Sequence, residues 1–217
     1  MSLKAKLEAC RHAFEVRAPP GVVVALENSV AKLAQTHLVR QAVKAGERAP
    51  LFRLRGNTGN FVSLSEGLDR GPVVVSFFRG GWCPFCCLES RALAEAQSEI
   101  ERLGATLIGL SPLPHPDGVT NLQILKDPGC RIAARYRIAF TVASRFRSAY
   151  RALGYPEQSQ AGSHRWVLPV PATYIIDRHG FVAFSYVDVD YTTRLEPTEI
   201  VAALTHLRKR VTPTLSV

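Results

Sequence analysis

One stretch of the chain constrains its fold most, because residues 71–104 predict a strand, a tight turn and a helix in succession. The segment GPVVVSFF (71–78) is a continuous run of apolar and β-branched residues, typical of a buried strand. The next segment, GGWCPFCCLES (80–90), holds three of the five cysteines. An amphipathic helix is predicted after them, with Gly104 suited to its C-terminal cap. Its predicted apolar face comprises Leu88, Ala92, Ala96, Ile100 and Leu103.

The rest of the chain alternates strands with helices, which favours an α/β fold. A hairpin is predicted at 50–66, where apolar residues alternate around a Gly/Asn turn. Further strands are predicted at 105–111, 122–129, 172–177 and 181–187. Helical segments are predicted at 131–138, 143–154 and 196–210. The last of these has a proline in its first turn and a basic end that complements the helix dipole.

The first 46 residues predict a helical extension, followed by one domain at 47–217. One apolar stripe comprises Leu3, Leu7, Cys10 and Phe14, and a second comprises Leu26, Val30, Leu33 and His37. The segment APPG (18–21) separates the two helices. Cys10 and His37 are interpreted as packing residues on these stripes. Because each stripe needs a partner surface, we expect the extension to pack on the domain or across a homodimer interface.

Composition excludes several classes of protein. The net charge is +9, but the basic residues are dispersed without a recognition motif, so a solvated surface is favoured and no nucleic acid is expected. The N-terminal residues carry charges throughout, unlike a signal peptide, and no apolar run has the length of a membrane span. Five cysteines are too few for a secreted disulfide framework. We therefore expect a cytoplasmic protein with no membrane association and reduced thiols.

The position of Cys83 favours a reactive thiolate. It lies where the predicted strand meets the helix, and Pro84 suits the first helical position. The free N–H groups and positive dipole of a helix N-terminus lower a cysteine pKa. Cys86 lies one turn further on, within reach of the same sulfur, whereas Cys87 points about 100° round the helix and is interpreted as packing. The isolated Cys130 is treated as incidental.

A structural zinc site is the main alternative for the Cys83–Cys86 pair. Such a site needs four ligands, and the chain has neither a second Cys-X-X-Cys nor a His-X3-5-His motif. We therefore expect no metal. A Cys-X-X-Cys motif in an α/β pattern instead indicates a thioredoxin-like redox fold.

Longer blocks resemble a known family. VVVSFFRGGWCPFC (73–86) resembles the active-site strand and turn of the thioredoxin superfamily, and VLPVPATYIID (167–177) resembles its cis-proline loop, with Pro171 at the matching position. From about residue 47 to 210 the chain resembles the alkyl hydroperoxide reductase/thiol-specific antioxidant family. The blocks RGGWCP, LPVPATY and DYTTRLEP resemble a peroxiredoxin-like subgroup.

The resemblance implies a thioredoxin-like fold, with a central mixed sheet flanked by helices, and thiol-dependent reduction of hydroperoxides without a cofactor. Cys83 would attack the peroxide, Cys86 would resolve the resulting sulfenic acid, and a thioredoxin-type reductant would recycle the pair. Trp82 and Phe85 would shape the mouth of the pocket, with core packing as the alternative for both. Two other readings remain: a protein disulfide oxidoreductase using the same pair, and a redox-sensing or binding protein acting through its extension.

This chain departs from the peroxiredoxin pattern at two positions and from the thioredoxin pattern at one. Gly80 stands where peroxiredoxins carry a threonine or serine, and Pro171 stands where they carry an arginine. Arg79 would replace one of these missing groups, unless it is a surface charge. Thioredoxins also carry a buried acid on the strand before the cysteines, and Ser76 is the corresponding residue here.

Overall fold

The structure is a computed structural model that describes residues 1–56, 59–114, 122–156 and 166–211. Its helices are α1 Leu3–Arg17, α2 Pro20–Ala34, α3 Leu38–Gln41, α4 Leu64–Arg70, α5 Pro84–Arg102, α6 Arg131–Arg135, α7 Arg147–Ala152 and α8 Pro197–Val211. Its strands are β1 Arg53–Arg55, β2 Phe61–Ser63, β3 Val73–Phe77, β4 Thr106–Ser111, β5 Ile124–Lys126, β6 Ala139–Thr141, β7 Val167–Pro169, β8 Ala172–Ile176 and β9 Val182–Val187. Within these ranges no helix is both long and apolar enough to cross a membrane.

A five-stranded mixed sheet in the order β5-β4-β3-β8-β9 forms the centre of the fold. β3 pairs parallel with β4 and antiparallel with β8, so the strand that leads to the cysteines lies in the middle. All five residues of β3 are buried, which agrees with its continuous apolar sequence. The predicted α/β fold with a thioredoxin-like mixed sheet is confirmed.

Three features differ from the predictions. The hairpin of β1 and β2 is present, with Asn57 and Thr58 of its turn outside the described residues, but the chain then enters helix α4 at Leu64. The short ladder of β6 and β7 was not predicted, because strands of three residues carry too little periodicity to recognise. His37 was wrongly placed on a helical stripe: α2 ends at Ala34, and His37 adopts a left-handed conformation.

The central sheet divides the apolar core into two clusters, because alternate residues of a strand point to opposite faces. Val74 packs with Leu93 and Ile100 of α5, whereas Val73 and Val75 pack in the cluster on the other face. Ser76 lies two residues from Val74, so its side chain points to the face covered by α5. Because of this alternation, Ser76 is the polar group of β3 that meets α5, called the cysteine helix below.

The helical extension packs on the domain, which confirms one of the two expected arrangements. Leu3, Leu7 and Leu26 are buried in the same cluster as Cys83 and Cys86. The carboxylate of Glu196, just before α8, accepts hydrogen bonds from the backbone N–H groups of Leu3 and Lys4. These N–H groups lie at the start of α1, where they have no partner within the helix. The division into an extension at 1–46 and a domain at 47–217 stays a prediction.

Candidate active site

The turn between β3 and α5 brings the backbone close to neighbouring side chains at Gly80. Gly80 has a φ of 132°, and a Cβ there would lie 2.7 Å from the ring of Trp82 and 2.9 Å from the Cβ of Leu113. The next residue, Gly81, donates its N–H to the carbonyl of Pro114 at 3.0 Å. A threonine or serine does not fit this backbone, which accounts physically for the departure at position 80.

Cys83 is the N-cap of α5 and Pro84 is its first helical residue, so the predicted placement at a helix N-terminus is confirmed. The Cys83 side chain is buried. Burial alone raises the pKa of its thiol, but a hydrogen bond from Cys86 and the positive charges of Arg79 and Arg194 outweigh that effect and lower the pKa to about 6. Cys83 is therefore mainly a thiolate at neutral pH.

Cys86 lies one turn along α5 and is equally buried. Its Sγ accepts hydrogen bonds from the backbone N–H of Arg79 and from Nη2 of Arg194, both at 3.4 Å. Burial, and then the hydrogen bond to Cys83, raise the pKa of Cys86 well above its ordinary value. The two thiols thus differ in charge at neutral pH, with Cys83 ionised and Cys86 protonated.

Arg79 is buried rather than on the surface, with only 1% of its area exposed. Among the residues that the structure describes, its Nε, Nη1 and Nη2 have no hydrogen-bond partner. Three aromatic rings surround the guanidinium: its Cζ lies 4.4 Å from the ring centroid of Tyr191, 4.8 Å from that of Trp82 and 5.1 Å from that of Tyr150. The charge is stabilised by ring faces while its N–H donors remain free.

A second buried cation reaches the site from the DYTTRLEP block. Arg194 donates from Nε to the Glu89 carboxylate and from Nη1 to the carbonyl of Tyr191, in addition to its contact with Cys86. The DYTTRLEP block resembles the peroxiredoxin-like subgroup, but no role for Arg194 is predicted from the sequence. Glu89 was also missed, although it lies three residues after Cys86 and therefore on the same helix face.

The remaining predicted site residues lie around this centre. Trp82 donates its ring N–H to the carbonyl of Arg79 at 3.1 Å and packs against Tyr155. Phe85 is buried and packs against Tyr191 with 5.6 Å between ring centroids. Pro171 precedes β8, as expected, but its peptide bond is trans, so the resemblance to a cis-proline loop is wrong on this point.

A cavity of about 240 Å³ lies between the helical extension and the cysteine helix. Apolar residues line it from both sides: Phe14, Leu26 and Val30 from the extension, and Phe85 and Tyr191 from the domain. Tyr150, which contacts Arg79, also shares a hydrogen bond of 3.3 Å with Ser29 of α2. The extension therefore contributes directly to the surroundings of the candidate site.

The other cysteines are less suited to react. Cys87 is half-buried, and its thiol donates to the carbonyl of Gly81 at 3.3 Å. Burial raises the pKa of Cys10, Cys87 and Cys130, most strongly that of Cys130. Among the described residues, no three His, Cys, Asp or Glu side chains are grouped as metal ligands would be.

Alkylation should reveal the low pKa of Cys83. We expect iodoacetamide to label Cys83 first, with a rate that is half-maximal near pH 6 and falls as the pH drops further and the thiolate is protonated. Stopped reactions followed by peptide mapping measure this profile. Cys86→Ala is the control: it removes the hydrogen bond to the thiolate and should move the midpoint upward. Earlier labelling of Cys10 or Cys130 would contradict the assignment.

Comparisons with known proteins point to one family. A sequence model of the AhpC/TSA family matches residues 45–185. The chain is 28% identical over 152 residues to a chloroplastic peroxiredoxin Q from Oryza sativa subsp. japonica, an alignment covering 70% of this chain and 63% of that protein. It is 27% identical over 104 residues to a putative peroxiredoxin bcp from Haemophilus influenzae, covering 44% of this chain and 66% of that one. The chain thus spans less than two thirds of the length of these relatives.

Solved structures share the fold at lower identity. Peroxidoxin BcpB from Mycobacterium tuberculosis superposes with a TM-score of 0.54 at 19% identity, covering 76% of this chain and 98% of that one. Peroxiredoxin Q from Xanthomonas campestris superposes with a TM-score of 0.55 at 15% identity, covering 76% and 99%. Since the family model matches well over half of the chain, across the strand, turn and helix that carry Cys83, the protein belongs to the AhpC/TSA family.

Proposed function

We propose that the protein is a thiol-dependent peroxidase that reduces hydroperoxides. The Cys83 thiolate attacks the distal peroxide oxygen, the O–O bond breaks, and the alcohol leaves as an alkoxide that takes up a proton. Cys86 then attacks the sulfenic acid on Cys83, forming a disulfide and releasing water. A thioredoxin-type dithiol reduces that disulfide and is itself oxidised. The names of the relatives, peroxiredoxin Q and peroxiredoxin bcp, support this reaction.

One observation carries the proposal: the buried guanidinium of Arg79, whose N–H donors have no hydrogen-bond partner in the described part of the chain, lowers the pKa of the Cys83 thiol. Buried N–H donors without hydrogen-bond partners are costly, so they are retained where a ligand satisfies them. Negative charge develops on the leaving oxygen as the O–O bond breaks, and a fixed cation in a dry site stabilises that charge. The effect of Arg79 on the Cys83 thiol, whose pKa its charge lowers, supports this role.

The test compares two electrophiles on two proteins. Arg79→Met keeps a side chain of similar length within the aromatic rings but removes the charge and the donors. We expect it to slow the reaction of Cys83 with cumene hydroperoxide roughly 100-fold, the usual cost of losing one such donor. Alkylation of Cys83 by iodoacetamide needs only the thiolate. In Arg79→Met its rate should fall less than about tenfold when each protein is assayed above its own Cys83 pKa.

The ratio of the two rates isolates peroxide activation from thiolate formation. An unchanged ratio in Arg79→Met would remove Arg79 from the reaction. If the unaltered protein reacts with hydroperoxide no faster than a free thiol of the same pKa, a protein disulfide oxidoreductase becomes the better assignment.

A further inference from the structure

Cys86 must lose a proton before it can attack, and its buried surroundings resist that loss. Burial raises its pKa well above the ordinary value. Glu89 lies beside the same cation that contacts Cys86: Nε of Arg194 donates to Oε2 of Glu89, and Nη2 of Arg194 donates to Sγ of Cys86. One positive charge therefore faces two groups that can each carry a negative charge.

We propose that Glu89 is the proton acceptor that lets Cys86 act as the resolving thiol, with Arg194 positioning the two groups. This inference rests on the proposed function in that it assigns the resolving step to Cys86. Arg194 and Glu89 are both buried, with side chains only 1% and 2% exposed. Two anions beside one cation in such a site are unfavourable, so the carboxyl takes up the proton as the thiolate forms.

The surroundings of Glu89 support a group that changes its charge. The Ser76 hydroxyl donates to Oε1 of Glu89 at 2.9 Å and lies 3.1 Å from the hydroxyl of Thr173 on β8. Burial, opposed by Arg194 and assisted by Cys86, raises the pKa of Glu89 to about 7. The charged and titratable groups facing it are Arg194 from the segment before α8, Cys86 on its own helix and Tyr186 on β9.

The proton of Cys86 passes to the Glu89 carboxylate, and the Cys86 thiolate attacks the sulfur of the Cys83 sulfenic acid. The S–O bond breaks, the S–S bond forms, and the departing hydroxide takes the proton from Glu89 to become water. Cys83 sulfur is reduced, Cys86 sulfur is oxidised, and the network returns to one anion beside Arg194.

The resolving step can be measured without peroxide. In a Cys10→Ser, Cys87→Ser background, the Cys83 thiolate attacks Ellman's reagent, which releases a first coloured thionitrobenzoate anion and leaves a mixed disulfide on Cys83. Attack by Cys86 on that mixed disulfide forms the Cys83–Cys86 disulfide and releases a second thionitrobenzoate anion. With excess reagent the first release is fast, and the rate of the second release reports the nucleophilicity of Cys86. We expect this rate to fall as the pH drops through about 7, where Glu89 becomes protonated and can no longer accept a proton. Because no peroxide is used, failure of the peroxidase assignment leaves this readout intact.

Glu89→Gln keeps the shape of the side chain and removes the acceptor. We expect release to slow roughly 100-fold at pH 7.5, within the usual range for a lost general base, and to lose its inflection near pH 7. Instead the rate should rise with hydroxide concentration. A Glu89→Gln rate equal to or above that of its parent, or an inflection that persists near pH 7, would overturn the proposal.

Ser76→Ala is the matched variant and decides the question even if Glu89→Gln fails to fold. It removes the hydrogen bond that lowers the pKa of Glu89 but keeps the carboxyl group. The inflection should therefore remain and move to higher pH. A purely structural role for the network would slow release without moving the inflection, and an inflection that stays in place in Ser76→Ala would exclude Glu89 as the titrating group.

Discussion

The Cys86→Ser, Cys87→Ser double variant is expected to stop halfway through the reaction, with a sulfenic acid on Cys83. Cys83 keeps its helix N-terminus and the Arg79 charge, so it still attacks peroxide, but no neighbouring thiol remains to resolve the product. Turnover with thioredoxin and its reductase should fall to the rate of the buffer blank. After one equivalent of hydroperoxide, dimedone should add to Cys83, which intact-mass and peptide mass spectrometry detect.

Two control variants sharpen this result. Adding Cys83→Ser should abolish the dimedone adduct, since no other thiol has a lowered pKa. Cys87→Ser alone should keep turnover if Cys87 serves packing, as its hydrogen bond to Gly81 indicates. Dimedone adducts on Cys10 or Cys130 in the double variant, rather than on Cys83, would contradict the assigned nucleophile.

The second large effect concerns stability. Leu26 on α2 is 1% exposed, whereas Val24 on the same helix is 54% exposed. Leu26→Ala leaves a void beside Phe85 and Tyr191, so we expect it to lower the free energy of unfolding by about 2–5 kcal/mol. Val24→Ala should change it by less than about 0.5 kcal/mol.

Urea unfolding followed by far-UV circular dichroism measures both variants. Equal, small effects would mean that the extension contributes little to the folded domain in solution. A large effect confined to Leu26→Ala would show that the extension and the cysteine helix share one core.

Local chemistry made the centre of the fold predictable. A continuous β-branched run, a glycine-rich turn, a proline after Cys83 and an apolar helix face were sufficient to predict β3, the turn and α5, because each signal acts within a few residues. The same signals placed Cys83 at the helix N-terminus and Cys86 one turn away. The short strands β6 and β7 escaped prediction because pairing between them, rather than their own sequence, defines them.

Only the tertiary structure decided what surrounds the two thiols. Arg79 was equally well interpreted from sequence as a surface charge, and it is the packing of Tyr150, Trp82 and Tyr191 that buries it. Glu89 looked like an ordinary polar position on a helix until Arg194, 105 residues away along the chain, paired with it. Side chains so distant in sequence leave no shared periodicity or spacing. The sequence alone therefore determined the helix and the position of Cys83 at its start, whereas the charges that set the ionisation of both cysteines depend on long-range packing.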